Sequence, residues 1–114
     1  RLLAEAPAAA IKKALEKSGL DVSDLSLLEI NEAFAAVTLT SSKILGDSDD
    51  AKVRELRRIL NVNGGAIAVG HANTASGASL VMTLAYEPRR RGGGYGAVGI
   101  CGGLAQGDSI IIRV

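Results

Sequence analysis

The hydrophobic positions of this chain switch between a helical and a strand-like period, and each switch marks an element. After Pro7 the stretch AAAIKKALEKSG places Ala8, Ile11 and Leu15 on one face with Lys and Glu between them. That spacing predicts an amphipathic helix beginning at Pro7 and closed by Gly19. Asp21–Ser26 reads as a connector, and Leu25–Ile30 (LSLLEI) as a short strand ending at Asn31. From Glu32 the helical period returns through Phe34, Val37, Ser41, Ile44 and Leu45, so Asn31 falls at a strand-to-helix junction. Gly46–Asp50 breaks this helix, and Val53, Leu56 and Leu60 outline a short amphipathic piece after it. The intervening Asp47, Asp49 and Asp50 read as helix caps and dipole partners, because they lack the later ligands and the glycine of a calcium loop.

Asn61–Gly65 is predicted to turn into Ala66–Val69, four apolar residues read as a short buried strand. Gly70 permits a sharp turn, His71 follows it, and Thr74 or Ser76 can cap a helix over about Ala75–Tyr86. Leu80, Val81, Met82, Leu84 and Ala85 make that helix apolar around much of its circumference, and Pro88 is expected to stop or kink it. Arg89, Arg90 and Arg91 suit the negative end of a helix; a phosphate site is the alternative reading. Gly92–Gly94 is a loop, Tyr95–Ile100 a strand ending at Cys101, and Gly102–Asp108 a turn into a last strand, Ser109–Val114, paired antiparallel as a hairpin. The resulting order is α/β: a layered mixed sheet with helices packed on it, its first three strands parallel.

Composition narrows what such a domain can do. At 114 residues the chain, 1–114, is a single domain, and it begins at Arg1 without a methionine, as a fragment or processed chain would. With 13 basic and 12 acidic residues it has no field favouring nucleic acid or an anionic membrane, and with no Trp and one Phe it has no stacking platform for bases. One cysteine excludes an internal disulfide, no apolar run is long enough to span a membrane, and no signal peptide is visible. A reducing, cytoplasmic setting is expected.

Three polar residues carry the candidate chemistry. Asn31, His71 and Cys101 each follow an apolar strand directly or one residue later, so parallel strands would bring them to one edge of the sheet. Singly they read as a cap, a structural histidine and a small buried thiol; a shared placement is what a structural role does not require. Gly70, Gly102 and Gly103 permit close backbone approach and amide donors of the kind an oxyanion hole uses. Such a set suits acyl transfer or proton abstraction beside a carbonyl. A Cys–His hydrolase with Cys101 as nucleophile and a non-catalytic scaffolding subunit are the alternatives.

With those residues in hand, the chain resembles the carboxyl-terminal half of the thiolases, the acetyl-CoA acetyltransferases and 3-ketoacyl-CoA thiolases. NEAFA at Asn31–Ala35, NVNGGAIAVGH at Asn61–His71, the following ASGA, and CGG with QG at Cys101–Gly107 occur in the family's order over nearly the whole chain. The resemblance implies that Asn31, through a water, and His71 form an oxyanion hole for a thioester. It implies that Cys101 is the general base and acid, and that the Gly103 amide belongs to a second oxyanion hole. It further implies no permanent cofactor, coenzyme A thioesters as substrates, a nucleophilic cysteine in an amino-terminal half not present here, and a homo-oligomer in the full protein. Ala72 stands where the family commonly has proline, and Leu104 and Ala105 replace a glycine run. The β-ketoacyl synthases share the fold but need a second histidine, and His71 is the only one here. The family's sheet has a first strand, taken as central, before the first helix; residues 1–6 are too short and charged to supply it. The chain is therefore expected to close a sheet of four strands or to leave an edge exposed.

Overall fold

The protein is described here by a computed structural model covering residues 2–114, with side chains from Leu3 onward. Helix α1 (Leu2–Ser18) starts before Pro7 rather than at it. The strong helix formers of LLAEA carry the helix backward, at the cost of the one amide that Pro7 lacks. Arg1 lies outside the described residues, and Leu2–Ala6 is helical, so this segment supplies no strand.

Strand β1 (Leu25–Ile30) forms as predicted. Helix α2 (Ala35–Leu45) begins three residues later than expected, because the chain bends at Ala33 and Phe34, and Phe34, whose ring is exposed, keeps extended φ and ψ. Helix α3 (Asp50–Ile59) is capped as the aspartates suggested: the Asp49 carboxylate accepts from the amides of Ala51 and Lys52, both at 2.9 Å. Asp47 instead pairs with Lys12 on α1.

The strand expected at Ala66–Val69 is not formed. These residues make a single helical turn, α4 (Ala66–Val69), with Ile67 and Val69 65% and 80% exposed. The physical reason lies just upstream. The outer edge of β1 is already occupied by Leu60, in a parallel bridge to Leu28, and by Asn61, whose amide donates to the Leu28 carbonyl at 2.9 Å. Asn61 then adopts φ 47° and turns the chain away before a fourth strand can align.

The sheet accordingly has three strands in the order β1, β2 (Tyr95–Cys101), β3 (Gly107–Arg113). Strands β1 and β2 run parallel, from Leu27 opposite Gly96 to Ile30 opposite Gly99. Strand β3 returns antiparallel as the expected hairpin, so the predicted parallel trio is one parallel pair. Because β1 bonds directly to β2, the middle of this sheet holds no vacancy for a further strand.

Helix α5 (Ser76–Arg91) runs past Tyr86 and through a buried Pro88, ending at Gly92 with φ 98°. In its last turns Glu87 pairs with Arg91 at 2.7 Å and Arg90 at 3.3 Å. One face of the sheet packs on α1 and α2 through Ile11, Leu15, Leu28, Ile30, Val37 and Leu45. The other packs on α5 through Leu27, Val98, Leu80 and Leu84. Among the described residues no helix is long and apolar enough to cross a membrane.

Strand β2 is held between these layers by two glycines that face opposite ways. A Cβ at Gly96 would lie 2.6 Å from Leu84 Cδ1, and one at Gly99 would lie 2.7 Å from Ile11 Cδ1 and 3.1 Å from the Pro7 ring. Gly99→Val is expected to destabilise the fold by about 1–3 kcal/mol through overpacking against buried Ile11 and Pro7. Gly103→Ala, where a Cβ meets nothing within 4 Å, is expected to change stability by less than about 0.5 kcal/mol. Urea denaturation of the two variants checks the contrast.

Candidate functional site

A cleft of about 420 Å³ opens between the carboxyl end of β1 and the start of α5. Glu29 and Asn31 from β1 and its exit, Gly65 and His71 from the connecting loop, and Ser76 and Thr83 from α5 contribute to its lining. Asn31 is buried, while His71 is exposed on the loop wall.

The loop that carries His71 is tied to β1 by two side chains. Asn61 acts as a substitute strand: its Oδ1 accepts from the Ile30 amide at 2.8 Å and its Nδ2 donates to the Ile30 carbonyl at 2.9 Å. The same Nδ2 donates to Glu32 Oε1 at 2.9 Å, and Glu32 Oε2 accepts from the Ile67 amide at 2.9 Å in the α4 turn. Gly65 makes this possible, since a Cβ there would stand 2.5 Å from the Glu32 carboxyl carbon.

Gly70, at φ 91°, then redirects the chain to His71. The imidazole Nδ1 lies 2.7 Å from Ser76 Oγ, which fixes the ring against the first turn of α5. Ser76 is therefore a partner of His71, and neither it nor Thr74 caps the helix through a side chain.

Cys101 and Gly103 stand apart from this cleft, among whose lining residues neither is found. Cys101 is a half-buried free thiol at the end of β2. Its strand neighbours the exit of β1, where the Asn31 amide donates to the Gly99 carbonyl at 3.0 Å, so Asn31 and Cys101 leave adjacent parallel strands at the same end. The turn beyond Cys101 uses the Gly102 amide itself, donated to the Gln106 carbonyl at 2.8 Å. Gly103 follows, exposed, and then Leu104 and Ala105 at φ 58° and 60°, left-handed conformations in which a glycine run would be unstrained.

Glu29 was not among the residues singled out from the sequence. It is 1% exposed, its Oε1 has no hydrogen-bond partner, and burial, then the charges of Glu32 and Glu87, push its pKa up to about 7. The signal was a single carboxyl inside the apolar strand LSLLEI, on the α5-facing side with Leu27.

With this geometry in hand, comparison with known proteins is informative. The sequence profile of the family described as "Thiolase, C-terminal domain" matches residues 1–114. A Mycobacterium leprae protein named "Probable acetyl-CoA acetyltransferase" is 49% identical over 94% of this chain and 25% of its own length. A β-ketoadipyl-CoA thiolase of Acinetobacter baylyi is 43% identical over 99% of this chain and 27% of its own. The crystal structure of human mitochondrial 3-ketoacyl-CoA thiolase in complex with CoA superposes with a TM-score of 0.86 at 41% identity, over 97% of this chain and 26% of that one. The chain thus spans about a quarter of the length of these relatives.

Because the pKa of Glu29 is higher folded than in its ordinary state near 4.5, the neutral carboxyl is the form the fold prefers. Stability is expected to be highest below about pH 4.5 as far as this group is concerned, to fall as pH rises to 7, and to level off above it, by about 3 kcal/mol in all. Glu29→Gln should remove that slope, so the difference between variant and parent in urea denaturation should be largest at pH 8 and vanish at about pH 3.5, well below the ordinary carboxyl value. Asn61→Ala leaves both backbone groups of Ile30 without partners and is expected to cost about 2 kcal/mol or more. Asn61→Asp should be no milder, since it sets a second carboxylate against Glu32.

Proposed function

The chain belongs to the thiolase C-terminal domain family, and from that premise we propose that it supplies the polarising and proton-transferring groups of a thiolase-type acyltransferase acting on coenzyme A thioesters. The observation that carries this reading is the convergence of Asn31 and His71 on one cleft, with Cys101 at the same end of the adjacent parallel strand.

In the proposed site the Ser76 hydroxyl donates to His71 Nδ1, which leaves the ring proton on Nε2, free to donate to a thioester oxygen as negative charge develops there. The Asn31 side-chain amide holds a water that donates to the same oxygen. Cys101 takes the proton α to the carbonyl during condensation and returns it during thiolysis; the Gly103 amide serves a second oxyanion. No step calls for a resident cofactor. The acyl-accepting cysteine belongs to an amino-terminal half, since Cys101, the one thiol of this chain, is assigned to proton transfer. The alternative in which Cys101 is itself a nucleophile activated by His71 has no contact to rest on, because among the described residues the hydrogen bond of the imidazole goes to Ser76 and not to the thiol.

The test is acetoacetyl-CoA cleavage by this chain alone and after mixing with an amino-terminal thiolase half. No turnover is expected alone and turnover is expected from the pair, with His71→Ala and Cys101→Ala each lowering kcat by about 100-fold or more. Turnover by the chain alone would refute the division of labour between the halves.

A further inference from the structure

We propose that the floor of the cleft between β1 and α5 is a receptor for a guanidinium group, gripped by the Glu29 carboxylate. Three carboxyls stand close enough to influence one another here, and two are fully engaged. Glu32 uses both oxygens, on Asn61 and on the Ile67 amide. Glu87 uses both as well, on Arg91, Arg90 and Asn63. Glu29 differs: it is 1% exposed, its Oε1 has no partner, and it faces a cleft open to the outside.

A buried carboxyl left in that state is costly, and two remedies exist: it keeps a proton, or a cation enters. The upward shift of its pKa corresponds to the first remedy. The surroundings favour the second whenever a cation is offered, because Glu32 and Glu87 add negative potential. Among the described residues no lysine or arginine lines the cleft to meet this demand, and His71 turns its Nδ1 to Ser76.

The geometry selects guanidinium over ammonium. A planar fork is less strongly hydrated than an ammonium and so is cheaper to bury, and it can bind a carboxylate while its remaining N–H groups reach acceptors at other angles. Ser79 and Thr83 line the same cleft on α5 and offer hydroxyl oxygens for this purpose. A volume of about 420 Å³ leaves room for such a group behind Asn31 and His71. The assignment does not depend on acyl transfer, since Glu29 would bind a guanidinium even if Asn31 and His71 polarised nothing.

The experiment uses the 114-residue chain with glutamate labelled at the carboxyl carbon, the Glu29 resonance being followed by NMR. Its titration midpoint is measured in methylguanidinium chloride and in sodium chloride of equal ionic strength. Methylguanidinium is expected to lower the Glu29 midpoint by about one unit or more, equivalent to about tenfold tighter binding to the ionised form. Glu29→Gln is expected to weaken methylguanidinium binding at pH 8 by about tenfold or more. The same midpoint in both salts, or undiminished binding by the variant, would overturn the proposal. If the variant does not fold, the midpoint comparison on the parent chain decides alone. A blocked Gly-Arg-Gly peptide that binds more tightly than methylguanidinium assigns the group to a polypeptide segment; equal binding assigns it to a free guanidinium compound.

Discussion

The arrangement of this domain depends on how Asn61 completes the edge of β1. A strand at a sheet margin exposes one amide and one carbonyl per two residues, and a buried margin must find partners for them. Here the Asn61 amide and side chain satisfy Leu28 and Ile30 at distances of 2.8–2.9 Å, so a single residue does the work of a neighbouring strand. Having done so at φ 47°, it frees the following residues from the sheet. Those residues become the loop that carries His71, and Glu32 fastens the loop back to the exit of β1. Sheet termination and placement of the imidazole are thus one event. A change at Asn61 or Glu32 reaches the cleft without touching any residue assigned to its chemistry.

The electrostatics of the cleft follow from the same packing. Helix α5 covers the face of β1 that carries Leu27 and Glu29, which desolvates a carboxyl that an open sheet face would have left in water. Glu87, on α5 itself, escapes that fate because Arg91 and Asn63 hold its pKa below the usual carboxylate range. Two glutamates on facing elements therefore diverge in protonation, one anionic and one retaining its proton near neutrality. Burial dominates at Glu29, whereas at Glu87 the hydrogen bonds from Arg91 and Asn63 outweigh it.

Periodicity and capping made much of this fold legible in the sequence. Ile11 and Leu15 marked α1, LSLLEI and YGAVGI marked the parallel pair, and Asp49 marked the start of α3. Ala66–Val69 was misread because four apolar residues carry no period, and whether they extend or coil depends on whether β1 still has a free edge. Pro88 reads as a stop or a kink, and the helix runs through it, because local rules cannot weigh a lost amide bond against burial on a sheet. At the site, Asn31 and His71 were visible as polar residues after apolar runs, and they do share a cleft. Cys101 was placed correctly at a strand end, but through its strand and not through that cleft. Glu29, Glu32 and Asn61 escape a reading of the sequence because their meaning lies in contacts 29 to 35 residues away or across a face, as in Asn61 with Glu32 and Glu32 with Ile67.

The paired glycines of β2 have a mechanical corollary. Where two layers meet through side chains, their spacing can adjust by rotamer changes; at Gly96 and Gly99 the helices rest on main chain, which has no such freedom. The strand is a main-chain shim between α1 and α5, and the thiol stands at its end. The imidazole, by contrast, is carried on a loop held by hydrogen bonds, so the two sides of the site are fastened by different means: one by packed main chain, the other by Asn61, Glu32 and Ser76.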